Sequence, residues 1–164
     1  MRRIELLLAC FALFLTVTTA HSEDSVVLGR GISNEHAFNL PCSQDSICMD
    51  SMFIWTFAAK RTIVGPEVKG KVRFLAAQHV DAVPRYVRSV ELFILRQIDD
   101  PELIKSTGAQ YYLLSSSPRY SNGTYCIWTD PEEVGLRLKK SDVTIDPTTG
   151  YYCFKKKLLL DHSG

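Results

Sequence analysis

Catalysis by side chains requires a nucleophile, a base and an orienting group brought together, and few residues of this chain could form such a set. No Gly-x-Ser-x-Gly turn lifts a serine into position for attack. The histidines, His21, His36, His79 and His162, are scattered, with no His-Glu-x-x-His and no i, i+4 pair that would place two imidazoles on one helix face. His36 and His162 fall in surface-type segments and His79 at a strand edge, where an imidazole is more often structural than a ligand. His21 has a sharper reading. If the chain is cut after Ala20, its α-amino group and ring could chelate copper, but no further ligand is identifiable. The acid pairs Asp99-Asp100 and Glu132-Glu133 are adjacent in sequence, so their carboxylates point apart, and Asp99-Asp100-Pro101 reads as a turn. The chain is therefore expected to be no enzyme, with no catalytic residue, no metal and no cofactor.

The cysteines carry a different chemistry. Of the five, Cys10 lies in an N-terminal apolar run, leaving Cys42, Cys48, Cys126 and Cys153. An even number in an oxidising compartment implies two disulfides, for which sequence alone allows three pairings. A zinc site would need ligands paired at Cys-x2-4-Cys spacing, whereas Cys42 and Cys48 have five residues between them.

Two further features point outward. Asn122-Gly123-Thr124 is an N-glycosylation acceptor within Ser115–Gly123, a stretch rich in Ser, Pro, Asn and Gly that reads as an exposed turn. Arg137, Lys139, Lys140, Lys155, Lys156 and Lys157 outnumber Asp142 and Asp146 over 137–157, a surplus that could bind sulfated glycosaminoglycan or simply keep a solvated face soluble.

The rest of the chain must position these groups. It has 164 residues, 46% hydrophobic, with 19 basic and 18 acidic side chains. That composition is globular rather than disordered or fibrous. Met1-Arg2-Arg3 ahead of the apolar run Ile4–Val17 has the form of a secretory signal peptide, too short to span a bilayer, with cleavage expected after Ala20 or Ser22. Removing residues 1–20 takes away Arg2, Arg3 and Glu5 and leaves a formally neutral chain of 144 residues. Neutrality argues against a dedicated nucleic-acid binder, and the length suits one domain. No later segment reaches transmembrane length, so a secreted, extracellular protein without membrane contact is expected.

Residues 21–39 show little periodicity and read as an extended N-terminal lead-in, ahead of a domain at 40–157 and a tail at 158–164. Ser51–Val64 is β-branched and aromatic, as for a strand buried on much of both faces, and Gly65-Pro66 ends it. Lys71–Val80 forms a second strand. Tyr86–Ile98 suits strand or helix periodicity and is assigned as strand on its Tyr, Val and Ile content. Ala109–Ser115 and Gly123–Thr129 flank the Asn122 turn as a hairpin. Asp130-Pro131-Glu132-Glu133 supplies an N-cap, an N1 proline and two acids for a helix closing at Lys139-Lys140, with Gly135 weakening it. Gly150–Phe154 is a short extended segment. The expected fold is mainly β, a five-stranded closed OB-like barrel with a short C-terminal helix and two disulfides.

Ile47-Cys48-Met49-Asp50-Ser51-Met52-Phe53-Ile54 resembles the signature of the netrin-like module, the fold of tissue inhibitors of metalloproteinases, in which a cysteine runs into the first long barrel strand. Gly108-Ala109-Gln110-Tyr111-Tyr112-Leu113-Leu114, Gly123-Thr124-Tyr125-Cys126 and Gly150-Tyr151-Tyr152-Cys153 are similar to later strands of that family in the same order, so the likeness covers most of 40–157. The family's inhibitory domain has six cysteines, paired first to fourth, second to fifth and third to sixth. Here the first and fourth are missing, and the resemblance implies Cys42–Cys126 and Cys48–Cys153. In those inhibitors the N-terminal cysteine of a Cys-x-Cys chelates the protease zinc through its free amine. Leu40-Pro41-Cys42 replaces that motif, which puts zinc-chelating inhibition in doubt.

The resemblance implies a secreted, non-catalytic binding module for an extracellular protein, a protease or matrix component, or for glycosaminoglycan. The alternative is a lipocalin-like carrier of a small apolar ligand, but a carrier barrel needs eight strands and five are placed. A secreted enzyme stands third, for want of a nucleophile or ligand set.

Overall fold

The computed structural model describes residues 24–39, 51–78 and 80–160. The expected signal segment, His21, Cys42, Cys48, His79 and His162 lie outside the described residues. The fold is mainly β. Strands β1 (Ser25–Asn39), β2 (Ser51–Val64), β3 (Gly70–Gln78), β4 (Val90–Gln97) and β5 (Tyr111–Pro118) close into a ring in the order β1-β2-β3-β5-β4, with β4 returning to β1. The β3–β5 contact is the parallel one; the other neighbours in the ring are antiparallel.

The alternation read in Ser51–Val64 has a direct structural cause. Phe53, Trp55 and Phe57 point into the ring, while Met52 and Ile54 face outward into a separate apolar cluster with Leu75, Ile98 and Ala109. The interior is closed by aromatic packing. Phe57, Phe74 and Phe93 are fully buried and form a triangle with centroids 4.6, 5.4 and 5.6 Å apart, in tilted rather than face-to-face arrangement.

The segment read as a lead-in is the first ring strand. Residues 25–39 pair with β2 along their length and with β4 at Ser25–Leu28, and Val26 and Val27 are fully buried. Its periodicity is obscured because four register shifts against β2 interrupt the alternation. Gly31 marks a close approach: a Cβ there would collide with the Val87 carbonyl oxygen.

The assigned strand Tyr86–Ile98 divides into a helix, α1 (Pro84–Ser89), and β4. Pro84 opens α1, Val87 seats fully buried in the ring core, and Tyr86 meets Trp55 edge-on at 6.5 Å. Asp99-Asp100-Pro101, read as a turn, instead starts a second helix, α2 (Pro101–Thr107). The Asp100 carboxylate accepts from the amides of Glu102 and Leu103, and Gly108 at φ 65° terminates it.

The same Asp-Pro signal at 130–131 does not produce the expected helix. The Asp130 side chain accepts from the Glu132 amide, but 131–135 form successive turns and the chain leaves them at Gly135, φ +76°. A side chain at 135 would press on Val64 at 2.9 Å, so a left-handed glycine packed on the ring ends the helix after its first turn. The short C-terminal helix is α3 (Lys157–Leu160), which buries Leu159.

Nor is 109–129 a hairpin. β5 stays in the ring, while β6 (Thr124–Ile127) joins a second sheet, ordered β6-β8-β7, with β7 (Val143–Ile145) and β8 (Tyr152–Lys155). Buried serines of β5 link the two layers. Cys126 N donates to the Ser117 hydroxyl at 2.9 Å and Trp128 N to that of Ser115 at 3.4 Å, in place of ladder bonds. The inner face of the second sheet, Tyr125, Ile127 and Phe154, covers Val26, Leu28, Leu92 and Ile94 on the outside of the ring.

Candidate functional site

With the ring interior filled, the candidate site is the outer face of β6-β8-β7. Strand alternation decides its content: because Tyr125 and Phe154 face inward, Thr124, Cys126, Cys153 and Lys155 face outward. Cys126 and Cys153 sit directly opposite one another on β6 and β8, with Cα atoms 4.1 Å apart, and form a disulfide. This overturns the pairing implied by the family resemblance, Cys42–Cys126 and Cys48–Cys153. Antiparallel register, not distance along the chain, chooses the partner here.

The disulfide lies in the floor of a cleft of about 780 Å3. One wall is the turn at Tyr120–Thr124, closed by Tyr120 N donating to Thr124 O and Gly123 N to Tyr120 O. The Asn122 side-chain oxygen accepts from Thr124 N at 3.0 Å, and the Asn122 backbone carbonyl accepts from Lys155 Nζ at 3.1 Å. Asn122, the first residue of the Asn-Gly-Thr triplet, is exposed and lines the cleft. The opposite wall is the turn after β7. There Asp146 accepts from the amides of Thr148 and Thr149, which hold its carboxyl below the usual carboxylate range.

Tyr120 and Tyr151, 48% and 38% exposed, face this cleft. Tyr86 on α1 is 44% exposed, and burial first, then the charges of the Tyr120 and Tyr151 phenols, raise its own phenol pKa. No spacing in the sequence signals this cleft, because the Tyr120 turn, the turn after β7 and the approach to β8 meet only in the fold.

Of the six expected anion-binding cations, three border one cleft, one lines the other, and two lie at or beside α3. Arg137, Lys139 and Lys140 border a second cleft of about 640 Å3, with Leu138, Val143, Ile145 and Tyr152 and the acids Asp130 and Glu132. Lys155 lines the disulfide cleft, and Lys157 opens α3. Lys156 is committed to Glu91 Oε2 at 3.3 Å. That same carboxylate oxygen accepts from the buried Tyr125 hydroxyl at 3.0 Å. Burial alone would raise the Glu91 pKa, but the Tyr125 bond, the Lys156 bond and charge and the Arg119 charge outweigh it and hold it low. The Tyr125 phenol is pushed far up, by burial first and then by Glu91. This network ties the second sheet to the ring and was not foreseen from the sequence.

Among the remaining expected site residues, His36 contacts Asn39 Oδ1 at 3.0 Å and packs edge-on against Phe53 at 5.5 Å. Asp100 is spent as a helix cap, and Glu132 and Glu133 are exposed on a turn. Among the described residues, no three His, Cys, Asp or Glu side chains cluster as a metal site, and no helix is long and apolar enough to cross a membrane. In comparison with known proteins the chain matches no family model, no curated sequence and no solved structure.

Proposed function

We propose that the chain is a secreted, non-catalytic binding module, an OB-type barrel that engages an extracellular protein or matrix partner through its outer second sheet. The OB-type reading rests on the ring order β1-β2-β3-β5-β4 with its parallel β3–β5 closure. A descent from the netrin-like family would have to accommodate a cross-strand Cys126–Cys153 bond and a ring strand ahead of Cys42. Zinc chelation by an N-terminal cysteine amine is accordingly not part of the proposal.

One observation carries the reading: among the described residues, buried aromatic side chains occupy the ring interior while two open clefts border the second sheet. An apolar ligand inside the ring would have to displace Phe57, Phe74 and Phe93, which favours a surface binder over a lipocalin-like carrier. Sulfated glycosaminoglycan is a second reading, favoured by Arg137, Lys139 and Lys140 on one cleft. Fold alone names no partner.

The test is surface plasmon resonance of the secreted protein over immobilised fibronectin, collagen, heparan sulfate and a metalloprotease panel, with a fluorescent fatty acid as the carrier control. Saturable binding to one of these surfaces, weakened by substitutions on the second sheet, is expected. Binding to none of them, together with stoichiometric uptake of the fatty acid, would overturn the proposal. The Arg137→Glu, Lys139→Glu, Lys140→Glu variant reads the glycosaminoglycan alternative, since its binding should fall steeply with salt.

A further inference from the structure

We propose that the disulfide-floored cleft on the outer face of β6-β8-β7 is a binding site for a neutral oligosaccharide, with Tyr120 and Tyr151 as its stacking walls. The inference rests on the binding-module reading and names the chemistry of what is bound. A sugar ring presents an apolar face of C–H groups and an equatorial belt of hydroxyls, so its site needs exposed aromatic faces beside short polar side chains. Tyr120 and Tyr151 expose such rings at the cleft, and a phenol presents an apolar body and a polar tip at little rotamer cost. Thr124 and Thr144 line the floor between them and offer hydroxyls that both donate and accept.

Charge decides between a neutral and a sulfated chain. The cleft is lined by two acids, Asp142 and Asp146, against one cation, Lys155, whose ammonium already donates to the Asn122 carbonyl. A sulfated chain would therefore meet net negative charge, whereas carboxylates are good acceptors for neutral hydroxyls. The cleft volume of about 780 Å3 falls within the range of small-ligand sites. Asn122 is exposed and lines the cleft, so the saccharide has two sources: a glycan of an external partner, or a glycan the chain would carry on Asn122.

The experiment is NMR and calorimetric titration with chitotriose, cellotriose, maltotriose and mannotriose, and with a heparin tetrasaccharide as the anionic competitor. The protein is made once in an oxidising host that does not N-glycosylate and once in one that does. The expected result is saturable binding of at least one neutral trisaccharide by the unglycosylated protein, with a Kd of ~1 mM or tighter. Tyr120→Ala and Tyr151→Ala should each weaken it about tenfold. Tyr151→Phe, which keeps the ring, should retain most of it. Equal affinity in the glycosylated protein assigns the site to an external glycan, and lost affinity there assigns it to the Asn122 glycan; either supports the site. No binding at ~10 mM trisaccharide, displacement by heparin, or unchanged affinity in folded Tyr→Ala variants would overturn it. Binding to a matrix protein stripped of its glycans, with no trisaccharide bound, would overturn this inference alone, and loss of both would overturn the module reading as well.

Discussion

The junction between the ring and the second sheet is testable through Glu91, Tyr125 and Lys156. The Tyr125 hydroxyl is buried with its phenol and donates at 3.0 Å to Glu91 Oε2, whereas the Glu91 side chain is 30% exposed. The two partners should therefore respond unequally to deletion. Tyr125→Phe leaves a carboxylate that water can still reach, so the loss should be about 1–2 kcal/mol, at the low end for a hydrogen bond to a charged acceptor. Glu91→Leu strands the phenol hydroxyl in the interior and also frees Lys156 from its 3.3 Å pair. That substitution should cost about 2–3 kcal/mol, of which the ion pair supplies less than about 1 kcal/mol because both partners are near one-third exposed. Removing both partners eliminates the stranded group. The double variant should therefore be more stable than the sum of the singles predicts, by about 1 kcal/mol or more.

Equilibrium urea unfolding followed by tryptophan fluorescence measures these differences, and its pH dependence supplies an independent check. The folded Glu91 carboxyl titrates below its ordinary value, while in the unfolded chain it titrates at the ordinary glutamate value. The unfolded state thus binds the extra proton, so the stabilisation is complete above the unfolded value and is lost as pH falls through the folded one. Glu91→Leu should lack that acid-limb step. A Tyr125→Phe protein as stable as the parent, strictly additive singles, or an acid limb unchanged by Glu91→Leu would each refute the reasoning.

Other consequences concern separate parts of the molecule. Non-reducing peptide mapping should recover Cys126 joined to Cys153. Replacing Cys126 and Cys153 by serine should cost about 3–4 kcal/mol in thermal or urea unfolding, the loop-entropy value for a separation of 27 residues. Gly31→Ala drives a methyl into the Val87 carbonyl and should lower stability by about 1–3 kcal/mol by forcing α1 off the ring, read by calorimetry and by faster amide exchange in 84–89. Expression in a glycosylating secretory host should add a glycan to Asn122 that endoglycosidase removes and that Thr124→Ala abolishes, read by mass spectrometry.

What was legible in the sequence followed from local chemistry. The alternation through Phe53, Trp55 and Phe57 survives in the ring because an antiparallel strand with two buried faces imposes it. The strand at 25–39 was missed because its bulges shift the alternation, so Gly29 and Gly31 look like loop residues although close backbone packing requires them. The two Asp-Pro starts show the limit of a local signal. Each aspartate caps as its chemistry dictates, but Leu103 and Ile104 continue the first helix onto β2 and β3, whereas Gly135 packs against Val64 and ends the second. Neither outcome is contained in the four residues that carry the signal.

The disulfide and the cleft above it extend the same point to function. Family likeness implied that Cys126 and Cys153 reach back to the cysteines before β2, yet they lie opposite each other once β6 and β8 pair. Pairing them across one small sheet frees that sheet from a covalent tether to the earlier cysteines. Its attachment to the ring then falls to the buried Tyr125, Ile127 and Phe154 and to the Glu91 network. The outward face that results carries Tyr120, Tyr151 and the disulfide because the inward face is spoken for by the core. Strand alternation on a sheet with one covered side is therefore what builds the candidate site, which is why single residues in the sequence do not announce it.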